Sequence, residues 1–224
     1  MDLSNRHYSK QSHMLVNAKY ALTKNEIDLI LTLLTEIKED DKDFQDYVFT
    51  LKDLEFKSSN KWHSKQLKDT VKGLMSKPIE IQKNTNKWEI INWFSYFKYD
   101  NGIITCRFDK RLKPYLLDIK KLFLISDLRM ILPIRSSYSK RIYLLLKEYE
   151  YDTIGYREFQ LSELQEILKV PKSFKIFNRF KEKVLFKAKE DINKFTDLQI
   201  DFIEKKLAKK VVSIKFIIKK SFHY

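Results

Sequence analysis

Apolar positions along the first half of the chain alternate between two periods. From Leu22 to Lys38, Ile27, Ile30, Leu31, Leu34 and Ile37 recur at helical spacing, Thr23 stands at the N-cap and Glu26 follows three residues later. That pattern predicts an amphipathic helix opened by a capping box. "YVFTLKDLEF" at 47–56 then reads as a short strand running into a second helix. "KSSNKWHSKQLKDTVKGLM" predicts a third helix, capped by Ser59 or Asn60, burying Leu67, Val71, Leu74 and Met75 and ended by Pro78. "IEIQK", "KWEIINWFSYFKY" and "GIITCRF" are rich in β-branched and aromatic residues, and Asp100, Asn101 and Gly102 predict a tight hairpin turn between the last two.

After a short helix expected around 110–117 and the stretch "KKLFLISDLRMILP", the same order begins again. "LLTEI" at 33–37 matches "LLKEY" at 145–149, and "FTLKDL" at 49–54 matches "FQLSEL" at 159–164. A further helix follows, then "LQIDFIEKK" and "VVSIKFIIKK", which alternate as half-buried strands do. Both halves therefore read helix, strand, helix, helix, hairpin. The expected fold is α+β, two tandem winged-helix domains related by a weak internal repeat and divided as 1–120 and 121–224. The topology alone also suits two small α+β domains of another purpose, since winged helices mediate protein contacts as well as DNA contacts.

Charge discriminates further. In "KSFKIFNRFKEKVLFKAKEDINK", residues 172–194, a turn of about 100° per residue gathers Phe177, Phe180, Val184, Ala188, Ile192 and the following Phe195 on a core-facing side. Lys172, Ser173, Lys175, Asn178, Arg179, Glu182 and Lys183 occupy the other side, over the first turns of a helix expected to open at Lys172. Arg can grip guanine bidentately, Asn can pair with adenine, Glu can accept from cytosine, and Lys neutralises phosphate. A basic face opposite an apolar stripe is equally what a solvated helix shows. The hairpin behind it decides: "EKKLAKKVV" carries Lys205, Lys206, Lys209 and Lys210, which a winged helix sets beside the helix. In the first half, the matching helix turns Lys61, Trp62, Lys65, Gln66, Lys68, Asp69 and Lys72 outward, a more mixed face suited to backbone or protein contact. Trp62 is open to two readings, an exposed anchor or a side chain packed under a neighbouring loop.

Composition narrows the partner. Of 224 residues, 44 are Lys or Arg and 30 are Asp or Glu, a formal net charge of +14 that implies a polyanion. No apolar run approaches the roughly 20 residues of a membrane span. The first residues lack the order of a secretory signal, and the single cysteine, Cys106, allows no intramolecular disulfide, so a reducing cytoplasm is expected. With 3 Gly and 4 Pro there is no Gly-rich phosphate cradle and no Pro-rich linker. His7, His13, His63 and His223 lie far apart, the 12 Tyr suit strands and cores, and Asp40 and Asp41 sit in an acidic loop. No catalytic constellation, metal site or cofactor is expected.

The segments "YSKQSHMLVNAKYALTKNEIDLIL", "SSYSKRIYLLLKEY", "FQLSELQEILKVPKSFKIFNRFKEKVL", "KEDINKFTDLQIDFIEKK" and "VVSIKFIIKK" together resemble the initiator replication proteins of iteron-containing bacterial plasmids. The resemblance covers nearly the whole chain and rests on order and spacing. It implies a non-enzymatic duplex-DNA-binding initiator whose C-terminal winged helix makes the main base contacts and whose N-terminal one adds DNA contacts and a dimer interface. It also implies binding to origin iterons as a monomer and to an operator of its own gene as a dimer, origin opening, and recruitment of the host initiator and helicase. A winged-helix transcriptional repressor without an initiator role is the alternative.

Overall fold

The computed structural model describes residues 15–37, 44–58, 60–116, 130–147, 149 and 155–220. His7, His13, His223, Asp40, Asp41, Ser59 and most of "KKLFLISDLRMILP" lie outside the described residues. The chain divides into two compact units between Leu132 and Pro133.

In the first unit, helix α1 (Lys24–Leu34) opens on the expected capping box: the Glu26 N–H donates to Thr23 Oγ1 at 3.3 Å, and the Thr23 N–H donates to Glu26 Oε2 at 2.7 Å. Ile27, Ile30, Leu31, Leu34 and Ile37 are buried as the spacing predicts, and so are Leu29, Leu33 and Asp28. The helix is therefore covered on nearly every side. Its buried Asp28 is met by Lys24 Nζ at 2.6 Å and by the Asn60 side-chain amide at 2.9 Å. Strand β1 (Tyr47–Thr50) runs directly into helix α2 (Leu51–Ser58). Asp53 locks that junction by accepting from the Thr50 N–H at 2.8 Å and its hydroxyl at 2.7 Å.

Helix α3 (Ser64–Met75) begins three residues later than an Asn60 cap would place it, with His63 at the N-cap and no side-chain cap bond. Leu67, Val71 and Leu74 are buried, whereas Met75, expected in the core, is 43% exposed beyond the end of that stripe. Strands β2 (Ile79–Asn84) and β3 (Lys87–Ile91) form a two-stranded hairpin. Strands β4 (Phe94–Asp100) and β5 (Ile103–Phe108) form a second, joined to β1 in the order β1-β5-β4. "KWEIINWFSYFKY" thus divides between two sheets. The break falls at buried Trp93, which packs edge-on to Tyr20 at 5.4 Å while its carbonyl accepts from the Asp109 N–H. At the β4–β5 turn, Asn101 and Gly102 both have positive φ, 47° and 89°, the conformation an Asn-Gly pair favours in a two-residue hairpin loop.

The second unit repeats the order: helix α4 (Ser137–Lys147), strand β6 (Tyr156–Gln160), helix α5 (Leu161–Ile167), a 3-10 turn (Lys172–Phe174), then a long helix, then strands β7 (Leu198–Leu207) and β8 (Lys210–Lys220). The long helix, here α6, runs through Phe177–Phe180, a π-helical stretch Lys181–Phe186, and Lys187–Phe195. The sheet order β6-β8-β7 matches β1-β5-β4 strand for strand. Phe49 and Leu54 in the first unit correspond to Phe159 and Leu164 in the second, and all four are buried. Each unit is a winged helix, and the fold is two of them in tandem, α+β. The β2–β3 hairpin is an addition to the first unit without a counterpart among the described residues of the second.

Candidate nucleic-acid interface

The basic segment does not open as a helix at Lys172. Lys172, Ser173 and Phe174 form a 3-10 turn, closed by the Phe174 N–H to Pro171 O (2.9 Å) and the Lys175 N–H to Lys172 O (3.1 Å). The Gln165 side-chain amide on α5 donates to Lys175 O at 3.2 Å, using a carbonyl that a continuous helix would need. Ile176 is extended, and α6 starts at Phe177. Lys172, Ser173 and Lys175 therefore lie on the turn between α5 and α6, while Asn178, Arg179, Glu182 and Lys183 lie on the helix itself. All seven are exposed.

The π-helical stretch is the second departure. A π turn accommodates an extra residue, and Leu185 is buried beside Val184, between Phe180 and the later core residues Ala188 and Ile192. Phe177 and Phe195, expected in the core, are only half-buried at the two ends. Past this stretch the cations serve the domain: Lys187 pairs with buried Asp191 at 2.9 Å, and that carboxylate also accepts from the Ser139 hydroxyl on α4 at 2.8 Å. The hydrogen bonds that Lys187 donates to Asp191 and then to Glu190 raise its pKa above the ordinary lysine value.

Three struts hold the β7–β8 wing against α6. Lys181 pairs with Glu204 at 2.6 Å, Lys189 pairs with Asp201 at 2.7 Å, and the rings of Phe186 and Phe202 lie 5.6 Å apart. The hydrogen bond from Lys189, followed by that from the Phe202 N–H, holds the Asp201 carboxyl below its ordinary pKa. Lys206, Lys209 and Lys210 stand exposed at the wing tip as the sequence predicts. Lys205 does not join them. It is opposite Ser213 on the outer face of the sheet and pairs with Glu158 of β6 at 2.6 Å, while Ser213 Oγ donates to the other Glu158 oxygen at 2.6 Å. The Lys205 bond and then the Ser213 bond lower the Glu158 pKa.

The pairing pattern sorts the cations. Among the described residues, Lys172, Lys175, Arg179, Lys183, Lys206, Lys209 and Lys210 form no ion pair, whereas Lys181, Lys187, Lys189 and Lys205 each do. Seven uncommitted cations, with Asn178, Ser173 and Glu182 among them, occupy the turn, the start of α6 and the wing tip. Two apolar residues join them that the charge pattern does not reveal: Ile176 at the α6 N-cap, 61% exposed, and Leu207 at the wing tip, 73% exposed.

In the first unit, Lys61, Lys65, Lys68 and Lys72 are all exposed, Lys61 just before α3 and the others on it, with Asp69 between. Trp62 is resolved in favour of packing. It is 1% exposed, its indole N–H donates to Ser58 Oγ at 2.9 Å, and its backbone N–H donates to Glu55 at 2.8 Å. It precedes α3, so a helical angle does not apply to it. The wing of this unit is not basic, because Lys98 pairs with Asp100 at 2.9 Å beside the uncharged Asn101-Gly102 tip. Among the described residues no cluster of His, Cys, Asp and Glu could hold a metal ion, and no helix is long and apolar enough to cross a membrane.

Comparison with known proteins is consistent along the chain. A family model described as Initiator Replication protein, WH1, matches residues 8–147, and one described as Initiator Rep protein, WH2, matches residues 160–218. Among solved structures, a crystal structure of selenomethionine derivatives of domains 2 and 3 of RctB superposes with a TM-score of 0.54 at 12% identity, covering 89% of this chain and 83% of that one. A second crystal structure of RctB domains 2-3 gives a TM-score of 0.50 at 15% identity with the same coverage. At these identities the likeness concerns the fold.

Proposed function

Because the chain belongs to the initiator replication protein family, we propose that it binds repeated duplex sites, iterons, in a plasmid origin and helps to open that origin. The observation that carries this reading is the separation of cations on α6, the turn before it and the wing, where, among the described residues, Lys181, Lys187, Lys189 and Lys205 are consumed in ion pairs and seven others are exposed and uncommitted around one helix start and one wing tip. In this reading α6 enters the major groove, with Arg179, Asn178 and Glu182 facing base edges. Lys172, Lys175, Lys183, Lys206, Lys209 and Lys210 neutralise flanking phosphates, and the Ser173 hydroxyl donates to one. The first unit adds phosphate contacts through Lys61, Lys65, Lys68 and Lys72 and supplies the surface for self-association. Repression of its own gene as a dimer and recruitment of the host initiator and helicase belong to the same proposal, in which the protein has no catalytic step of its own.

Filter binding to origin repeats across a salt series tests the interface. If the six lysines assigned to phosphates in the second unit all meet them, these alone make log K fall with log salt at a slope of about −5. Weak, salt-insensitive association would remove the DNA-binding reading. Transformation separates initiation from simple repression: a plasmid carrying the origin should replicate only when this protein is supplied, and replication without it would remove the initiator role.

A further inference from the structure

The two wings of this chain form a natural comparison. The first turns through Asp100-Asn101-Gly102, with both φ > 0 positions filled by residues that adopt them readily. The second closes between paired Leu207 and Lys210, and its left-handed position is Ala208, at φ 54°. Ala is a poor choice there, because its Cβ crowds the backbone in that region. Directly before it stands Leu207, 73% exposed, with Lys206, Lys209 and Lys210 exposed around it. A β-bulge also shifts the pairing register between Lys205 and Lys206, leaving Val212 as the extra residue on β8. Bulges bend and twist a strand and re-aim what lies beyond them, and they concentrate next to functional sites. The first wing also carries a bulge and an exposed apolar residue, but its bulge lies between Phe94 and Tyr96 at the far end of the hairpin, and Ile103, 50% exposed, pairs with Asp100. The second wing is distinct in placing a left-handed Ala, an exposed Leu and a bulge together at a tip ringed by lysines. Departures of this kind are expected at functional positions.

We propose that Leu207 is a minor-groove wedge, inserted between two stacked bases while Lys206, Lys209 and Lys210 hold the phosphates on either side. The inference rests on the duplex-binding reading above and adds to it a means of deforming the site. Apolar side chains used this way partially unstack a base step and kink the duplex. The charges around Leu207 select DNA over a protein partner, since three lysines ringing one Leu match the two phosphate rails beside a groove floor. The struts from α6 to Asp201, Phe202 and Glu204 keep the wing from folding away when the tip is pushed against the duplex. Flexible pyrimidine–purine steps are the expected target, because they unstack most readily.

The test uses the full chain and a duplex bearing the repeat that the wild-type protein footprints in DNA flanking its own gene, with 2-aminopurine placed in turn at each A·T pair. The wild type should raise 2-aminopurine fluorescence several-fold at one step under the wing. Leu207→Ser, at an exposed tip that folding does not need, should at saturation return that step to the signal of free DNA while changing affinity by less than about threefold, since lost apolar burial and avoided unstacking offset each other. Leu207→Met should keep most of the signal. Lys209→Ala should bind more weakly with a salt slope shallower by about one unit, yet reach the full signal at saturation. A Leu207→Ser protein with the wild-type fluorescence, or a wild type that footprints the repeat without brightening any step, overturns the wedge and leaves the duplex-binding reading standing. If the wild type leaves no footprint on its origin DNA, that reading fails, and the wedge with it.

Discussion

Replacing Gly73 by Ala should destabilise the first unit, although Ala is ordinarily better than Gly in a helix interior by about 1 kcal/mol. Gly73 lies on α3 facing α1. A Cβ built there falls inside the van der Waals envelope of Glu26 Oε1 and 3.3 Å from Glu26 Cδ. An exposed glutamate would swing aside, but Glu26 is 3% exposed and held on two sides. It accepts from the Thr23 N–H at 2.7 Å, closing the α1 capping box, and from Lys77 Nζ at 2.8 Å. Displacing it forfeits a cap worth about 0.5–2 kcal/mol and leaves a buried carboxylate short of its donors, at about 1–3 kcal/mol. Against the propensity gain, the net expectation is a loss of about 0.5–4 kcal/mol. Urea denaturation followed by tryptophan fluorescence reads this unit alone, because Trp62, Trp88 and Trp93 all lie in it. The decisive control is Glu26→Ala, in which the clash is gone and Gly73→Ala should now stabilise by about 1 kcal/mol. A stabilising Gly73→Ala in the wild-type background would refute the packing argument, as would the same sign in both backgrounds.

Arg179→Ala should weaken binding to the origin repeat by about 1–3 kcal/mol and narrow its preference over scrambled DNA if Arg179 holds a base bidentately; competition binding showing an unchanged preference rejects that assignment. Glu158→Gln should release Lys205, raising affinity for every sequence alike and steepening the salt slope by up to about one unit, and an unaltered slope would mean Lys205 stays out of reach of DNA. Because the folded-state pKa of Glu158 is lowered, by Lys205 first and Ser213 next, the Glu158 contribution to stability is present above the ordinary carboxylate value. It should be lost only as pH falls through the lower folded value, which a pH titration of unfolding for wild type against Glu158→Gln would show. Burial pushes the Cys106 thiol up to about 12, so a disulfide reagent at pH 8 should modify it only as fast as the first unit opens, and rapid labelling of the folded protein would contradict its burial between β1 and β4 on the central strand β5.

Fold signals were legible wherever cause and effect lie a few residues apart. Thr23 and Glu26 cap α1 as their spacing predicts, and Asp100-Asn101-Gly102 turns the first wing. The repeat was legible because Phe49 with Leu54, and Phe159 with Leu164, fill the same core position at a strand-to-helix junction. The errors arose where a distant partner claimed a local signal. Asn60 has the chemistry of an N-cap, but its amide donates to Asp28 and its carbonyl accepts from Lys24, both on α1. With that side chain engaged, α3 starts at Ser64 after the chain has buried Trp62. Gln165 acts similarly on Lys175 O, so the basic segment spends its first residues in a 3-10 turn.

The basic surface proposed as the site was legible as a stretch of sequence and not as a set of unpaired cations, because whether a lysine is free depends on strand register and helix phase rather than on residue type. Lys205 and Lys206 are neighbours of identical chemistry, yet alternation places Lys205 on the face with Glu158 and leaves Lys206 beyond the bulge, exposed and without an ion pair among the described residues. Lys181 and Lys183 differ in the same way, one turned to Glu204 and the other to solvent. In the proposed duplex-binding reading, the cations lost to ion pairs still bear on recognition. Lys181 and Lys189 fasten the wing to α6, and Lys187 pairs along α6 with Asp191, whose other oxygen accepts from Ser139 and ties α6 to α4. The remaining cations are thereby carried on elements already fixed relative to each other. A preorganised surface loses less conformational freedom on association, so part of the basic composition is spent on rigidity, and that rigidity strengthens the contacts left to the rest.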